Sequence, residues 1–334
     1  MCMSMSINEN NNDPSFAINP SLKIDHVHLR VSNLKESVNF YQSILGFRNL
    51  KEKSNTKIAF LTYTENNTNN DADSEKKKRV SPLLVLTEID NDNKIKDKII
   101  KKEAGLYHFA ILLSERKDLA AFLRHIQENL EPQFYEGMAD HAVSESIYLH
   151  DPDLNGIEVY SDRDPTEWKW KENKVHMITE PLKVQDLLKE SSNVNNEWNE
   201  LPSGTSIGHV HLHVSNLAKA KRFYKDILEL NHTATYPGAY FFAANRYHHH
   251  VATNIWLGEN IPPAYNDVNN KPGLDHYAIK LHNKNDLFLL KSRLLEFKIN
   301  VDEKMVEKED NQFFSSFYAY DFDGIKIQFL YNNH

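Results

Sequence analysis

The chain has almost no cysteine. Cys2 is the only one in 334 residues, so no intramolecular disulfide can form and a reducing compartment is expected. It has no apolar run approaching the ~20 residues that cross a bilayer, and residues 1–14 are rich in Asn and Ser without the basic start of a targeting leader. It also lacks a cationic excess. A formal net charge of −8 offers no electrostatic footprint for nucleic acid or an anionic membrane. The one basic run, Lys76 to Arg79, follows an Asn/Asp/Thr-rich stretch and reads as solvated loop. These absences point to a cytoplasmic globular protein that binds neither nucleic acid nor membrane, with residues 1–21 as a disordered tail.

What is present is histidine and repetition. A chain of this length holds about two domains, and its 17 histidines are many, several of them inside strand-like segments. His-Val-His-Leu-Arg-Val-Ser-Asn-Leu (26–34) recurs as His-Val-His-Leu-His-Val-Ser-Asn-Leu (209–217), each followed by an amphipathic helical pattern carrying Phe-Tyr and Ile-Leu. Gly-Leu-Tyr-His-Phe-Ala-Ile (105–111) recurs as Gly-Leu-Asp-His-Tyr-Ala-Ile (273–279), and the turn at 151–158 aligns with that at 321–328. Four units of one pattern result: strand, helix, then three strands. Units at 22–90 and 104–161 make a first domain, 22–161, and units at 207–258 and 273–332 make a second, 207–332. Unit one carries a polar insertion at 65–79. The connector, 162–206, holds Trp168, Trp170 and Trp198, which suggest that it packs on a domain. The fold class is α+β, four βαβββ units forming two paired half-barrels.

Within unit two, Gly105 to Leu113 reads as a buried strand, and Val143 to His150 and Gly156 to Tyr160 read as a hairpin closed by Asp-Pro-Asp-Leu-Asn-Gly. Strand alternation turns Ile157 and Val159 to one face and Glu158 to the other. A carboxylate inside an apolar strand is costly unless something pairs with it. His108 interrupts the first strand in the same way. The expectation is that His108 and Glu158 face one cavity and share a metal ion.

The segments 105–113, 140–149, 155–160, 207–214 and 247–256 resemble the vicinal oxygen chelate superfamily, which includes glyoxalases and extradiol dioxygenases, and within it the four-unit catechol 2,3-dioxygenase-like proteins. The resemblance implies iron(II), or another divalent metal, on a face of two histidines and one carboxylate with positions open for substrate. It implies a small aromatic diol and dioxygen as partners, and a homo-oligomer is an open possibility. His108 and Glu158 fill two ligand places. A crosswise pairing of units two and three supplies His209 as the third, while His26 competes for that place if units one and two pair. The same pairing brings His249, on the last strand of unit three, to the position of an acid/base histidine. Tyr148 matches a tyrosine that hydrogen-bonds the substrate oxygen; His141, in Asp-His-Ala-Val-Ser, reads either as lining the same mouth, where it would stabilise charge on bound dioxygen or pass a proton, or as a loop cap. His248 to His250 have a plainer reading as the exposed edge of a hairpin. Two other functions stay open: a glyoxalase-type isomerase, which would want a further carboxylate (Asn254 being the nearest alternative polar group), and a non-catalytic binder of small aromatics. In unit four Gln328 stands where Glu158 stands in unit two.

Overall fold

The computed structural model describes residues 18–50, 57–64, 81–89, 102–190, 198–264, 271–302, 308–309 and 312–332. The insertion at 65–79 and residues 1–17 of the expected tail lie outside the described residues. Residues 18–21 belong to the fold: Ile18 is buried in the core and the Pro20 carbonyl accepts from Asn245, so the tail reading does not extend to them.

Unit one supplies β1 (Lys23–Val31), α1 (Leu34–Ser43), β2 (Arg48–Asn49), β3 (Ile58–Thr62) and β4 (Leu84–Glu88). Unit two supplies β5 (Gly105–Leu113), α2 (Arg116–Asn129), β6 (Tyr135–Asp140), β7 (Ser144–His150) and β8 (Gly156–Asp162). The connector carries β9 (Trp170–Lys171), β10 (Lys174–Val175) and α3 (Val184–Lys189). Unit three follows with β11 (Ser206–His213), α4 (Leu217–Lys221) running on into a π-helical turn over Arg222–Ile227, β12 (Asn231–Tyr236), β13 (Ala239–Ala243) and β14 (Val251–Asn254). Unit four contains β15 (Gly273–Lys280), α5 (Lys284–Glu296), β16 (Val301–Asp302), β17 (Lys308–Glu309), β18 (Gln312–Tyr320) and β19 (Lys326–Asn332).

Local chemistry explains these boundaries. The Ser-Asn pairs that open the repeated helices place Asn33 and Asn216 at the N-cap, where each side-chain oxygen accepts from a backbone N–H three residues on. That satisfies a donor the helix itself cannot. Asn283 does the same for α5. Val27, Leu29 and Val31 of β1, and Val210 and Leu212 of β11 with Val214 just beyond it, are fully buried in one shared core. Strand alternation then turns the intervening histidines to the opposite face.

The strands form two large sheets, and the pairing is crosswise. One runs β16-β18-β19-β15-β1-β4-β3-β2 and joins units one and four; the other runs β12-β13-β14-β11-β5-β8-β7-β6 and joins units two and three. The seams are antiparallel, β1 against β15 and β5 against β11. Each sheet therefore takes one unit from each of the segments 22–161 and 207–332, so the chain halves and the sheets divide the molecule differently.

Buried polar ties hold the two sheets together within each half. Tyr41 donates to Asp151 at 2.9 Å and Tyr224 donates to Asp321 at 3.0 Å. Beside them the backbone N–H groups of Ser32 and Ser215 donate to Asp153 and Asp323. The Phe-Tyr pairs at 40–41 and 223–224 are thus buried packing residues whose phenols end on the turn aspartates of the neighbouring unit.

Burial pushes the Asp321 carboxyl up to about 7 against the hydrogen bonds it accepts from Ile325, Tyr224 and Asp323, and pushes Asp151 up to about 6. A carboxyl whose folded pKa lies above its unfolded value of about 4 binds more protons folded than unfolded. Its contribution to stability therefore falls as pH rises through that window, by up to about 1.4 kcal/mol per pH unit for one group. Asp321→Asn cannot ionise and is expected to flatten the decline in urea midpoint between about pH 4 and about pH 7. An unchanged slope would contradict this account of the turn.

Candidate metal centre

Glu158 lies in β8 between Ile157 and Val159, which bury into the core. Its own side chain turns to the other face and is buried as well. Tyr148 of β7 lies opposite Glu158, and His108 of β5 lies opposite Gly156 of β8. Gly156 is required there. A Cβ on it would sit 2.0 Å from the Tyr107 carbonyl oxygen, so only glycine lets β8 approach β5 this closely. On the far side of β5, β11 places His209 opposite Ala110 and His211 opposite His108.

Three donor atoms converge. Glu158 Oε2 lies 3.0 Å from His108 Nε2 and 3.0 Å from His209 Nε2. The other carboxylate oxygen, Oε1, accepts from Ser146 Oγ at 2.6 Å. Among the described residues His108 Nε2, though this close to the carboxylate, makes no hydrogen bond with acceptable geometry, and His209 Nδ1 has no partner there either. A buried nitrogen left unmatched costs about 1–3 kcal/mol, and such costs collect where function demands them. Donors held about 2.1 Å from a divalent ion and at right angles to each other lie about 3 Å apart. The spacing and the orphaned nitrogen both fit an ion shared by His108, Glu158 and His209, whose ligand atoms all lie within 4.8 Å of one another.

The electrostatics suit a dication. Burial disfavours charge on Glu158, but His209 and His108 outweigh it and hold the carboxyl well below the ordinary carboxylate range. Burial holds His209 down to about 4 despite the nearby carboxylate. Its imidazole is therefore neutral at about pH 7, with a lone pair to offer. His211 and His249 are likewise depressed, by burial first and by neighbouring imidazoles second.

The centre opens on a cavity of about 240 Å³. His249 lines it, with its ring centroid 4.0 Å from that of His209. It stands in the segment just before β14 rather than on that strand as expected, and His248, His249 and His250 are all buried rather than an exposed edge. Tyr148 and His141 line the cavity together, with Tyr148 Oη 2.6 Å from His141 Nε2. His141 Nδ1 lies 2.8 Å from the Ile178 carbonyl, which can only accept, so Nδ1 carries a proton, and with that as the ring's single proton Nε2 accepts from Tyr148. His26 is elsewhere: it lies in the other sheet, paired with Ala278, its ring near His276. Asn254 is also absent from the centre, held by His211 and His213.

Several contributors escaped sequence reasoning. Ser146 was signalled only by its alternation with Tyr148 on β7. Tyr107 and Trp256 wall the cavity, as do Met177 to Thr179 of the connector. No local pattern announces that a connector forms part of a site wall.

The equivalent face of the other sheet differs. His28, Asp275 and His276 are close enough to bind an ion, but Arg30 and Lys326 lie 3.2 and 3.4 Å from Asp275. Like charges about 4 Å apart repel by about 4 kcal/mol per unit pair at an effective dielectric of about 20, so this cluster is built as an internal ion network. Gln328 there accompanies Ser316 as Glu158 accompanies Ser146.

The profile of the Glyoxalase/Bleomycin resistance protein/Dioxygenase superfamily matches residues 23–159 and 206–329. The chain belongs to that superfamily. It is 37% identical over 290 residues, 86% of this chain and 92% of the relative, to Catechol-2,3-dioxygenase of Bacillus subtilis (strain 168). Its fold resembles a crystal structure of a provisionally described dioxygenase from Bacillus subtilis subsp. subtilis str. 168 (TM-score 0.59, 11% identity, 93% of this chain and 86% of that one). It also resembles a glyoxalase I mutant from Zea mays (TM-score 0.53, 14% identity, 93% of this chain and 94% of that one). Both solved structures speak to the fold alone.

The contrast between the two faces gives a direct expectation. After anaerobic reconstitution with iron(II) and desalting, elemental analysis is expected to find about one iron per chain. His108→Ala or Glu158→Ala should abolish retention, because either leaves fewer than three ligands. Gln328→Ala should leave it intact. Loss of iron from the Gln328 variant would place the centre in the wrong sheet.

Proposed function

We propose that the protein is an iron(II)-dependent extradiol dioxygenase that opens a catechol-like ring. The observation that carries the reading is the convergence of His108 Nε2, His209 Nε2 and Glu158 Oε2 in the lining of one cavity. The 37% identical relative named for this activity supports it. Two imidazoles and one carboxylate form the ligand set of iron(II) oxygenases and leave open positions on the ion. When bound, the metal supplies a place where diol and dioxygen meet and a path for electrons between them.

The remaining roles fall to the chain's own groups. Tyr107, Phe241 and Trp256 offer aromatic walls to a single ring. His249, depressed by burial, is neutral near pH 7 and can take a hydroxyl proton from the diol. Burial and the Glu158 charge keep the Tyr148 phenol protonated. Because it donates to His141, it presents its oxygen lone pairs to the cavity, where they can accept from a substrate hydroxyl. The overall reaction balances without an external reductant: the ring carbon–carbon bond beside the diol breaks, and both atoms of dioxygen enter the product.

The iron-loaded protein given catechol under air is expected to consume about one dioxygen per catechol and to form a yellow ring-opened product. His249→Gln should retain iron yet lower kcat by about 10²-fold or more, the usual contribution of general-base catalysis. Turnover of a hemithioacetal without oxygen uptake would instead establish an isomerase. Absence of both reactions, with a small aromatic bound unchanged, would establish a binding protein.

A further inference from the structure

Behind His249 lies a second layer of polar contacts that neither the metal nor the cavity requires. His248 is completely buried, with its Nδ1 2.7 Å from His249 Nδ1 and its Nε2 2.9 Å from Asp162 Oδ1. Asp162, at the end of β8, accepts a second hydrogen bond at Oδ2 from Tyr247, whose hydroxyl is 2.7 Å from that of Tyr160. Tyr160 packs its ring against His209, and Trp168 of the connector packs against His248. The chain of contacts thus runs from a partly solvated carboxylate, through a buried imidazole, to the imidazole that lines the cavity.

The direction of each hydrogen bond follows from chemistry. An ionised carboxylate only accepts, so His248 Nε2 must donate to Asp162. With a single ring proton, held at Nε2 by the carboxylate, His248 has only the Nδ1 lone pair to offer His249. The contact at 2.7 Å can then form only if His249 Nδ1 carries a proton. That leaves the lone pair of His249 on Nε2, the one ring nitrogen available to a ligand in the cavity. An imidazole with the opposite tautomer would present an N–H there and could not accept a proton.

We infer that Asp162 and His248 are positioning residues that fix the Nδ1–H tautomer and the ring orientation of His249, so that the cavity faces a base. The inference rests on the dioxygenase reading for its consequence in turnover, but the tautomer itself does not depend on any reaction. Neither residue touches the substrate space. The same logic of a carboxylate setting an imidazole tautomer underlies hydrolase triads, here extended by one additional ring.

Nitrogen-15 NMR of histidine-labelled, metal-free protein, with His249 assigned by its loss in His249→Gln, reads the tautomer directly. The expected result is a pyrrole-type shift at Nδ1 and a pyridine-type shift at Nε2 of His249, and loss of that pattern in His248→Phe. In the iron-loaded enzyme, His248→Phe should lower kcat at least tenfold while KM stays within about twofold and iron content is unchanged. His248→Gln, which retains an N–H donor for Asp162 and a carbonyl acceptor for His249, should recover most of the activity. An Nε2–H tautomer of His249 in the unmodified protein, or an unaltered tautomer in His248→Phe, would overturn the inference. If the unmodified protein consumed no oxygen but showed the expected tautomer, the dioxygenase reading would fail and the positioning role would stand.

Discussion

A single carboxylate oxygen, Glu158 Oε2, faces two imidazole nitrogens in a buried pocket, and much of the molecule serves to make that arrangement tolerable. Glu158 is surrounded by apolar strand neighbours and is shielded from water. Burying an unpaired charge of this kind is prohibitive, so the fold must deliver compensating groups from elsewhere in the sequence. It does so by bringing β5 and β11 together as antiparallel neighbours, which sets His108 and His209 on adjacent strands although they are far apart in the chain. Ser146 satisfies the second carboxylate oxygen from β7. The two imidazoles keep the carboxyl ionised, and a dication would complete the balance with His108 Nε2, which has no hydrogen bond among the described residues.

The duplication of the βαβββ unit gives the protein two such faces, and it has invested them differently. Where unit two has Glu158, unit four has Gln328; where Tyr107 precedes His108, Asp275 precedes His276. Asp275 attracts Arg30 and Lys326, and these fixed cations occupy the electrostatic role that an ion would have. Sequence repetition therefore does not imply repeated chemistry. The turn aspartates show the opposite behaviour: Asp151 and Asp321 make the same phenol contact in both halves because that contact ties one sheet to the other.

The fold was legible because the repeats are strong and strand alternation is simple: Val27, Leu29 and Val31 against His26 and His28 is enough to identify which side faces the core. His108 and Glu158 were legible as polar residues interrupting apolar strands. Which units share a sheet was not fixed by local pattern, since any first strand can pair with any other; only the requirement of a complete ligand set favours His209 over His26. The cavity wall made by Met177 to Thr179 was illegible because a connector has no periodicity to read. The buried partners of His249 were hidden for a different reason. A run of three histidines at 248–250 looks like a solvated hairpin edge until Asp162 and Tyr247 are seen to enclose it.

Chain halves and sheets divide the molecule along different lines, so the centre is shared between segments that could each be taken for a domain. Its two strands of origin, β5 and β11, belong to different halves, and the connector that joins the halves closes the cavity. Anomalous diffraction at the iron edge from crystals grown with iron(II) under anaerobic conditions would test the central claim most directly. The account predicts one strong peak about 2.1 Å from His108 Nε2, His209 Nε2 and Glu158 Oε2. A peak beside His28 and His276 with none at Glu158, or no peak at either face, would contradict it.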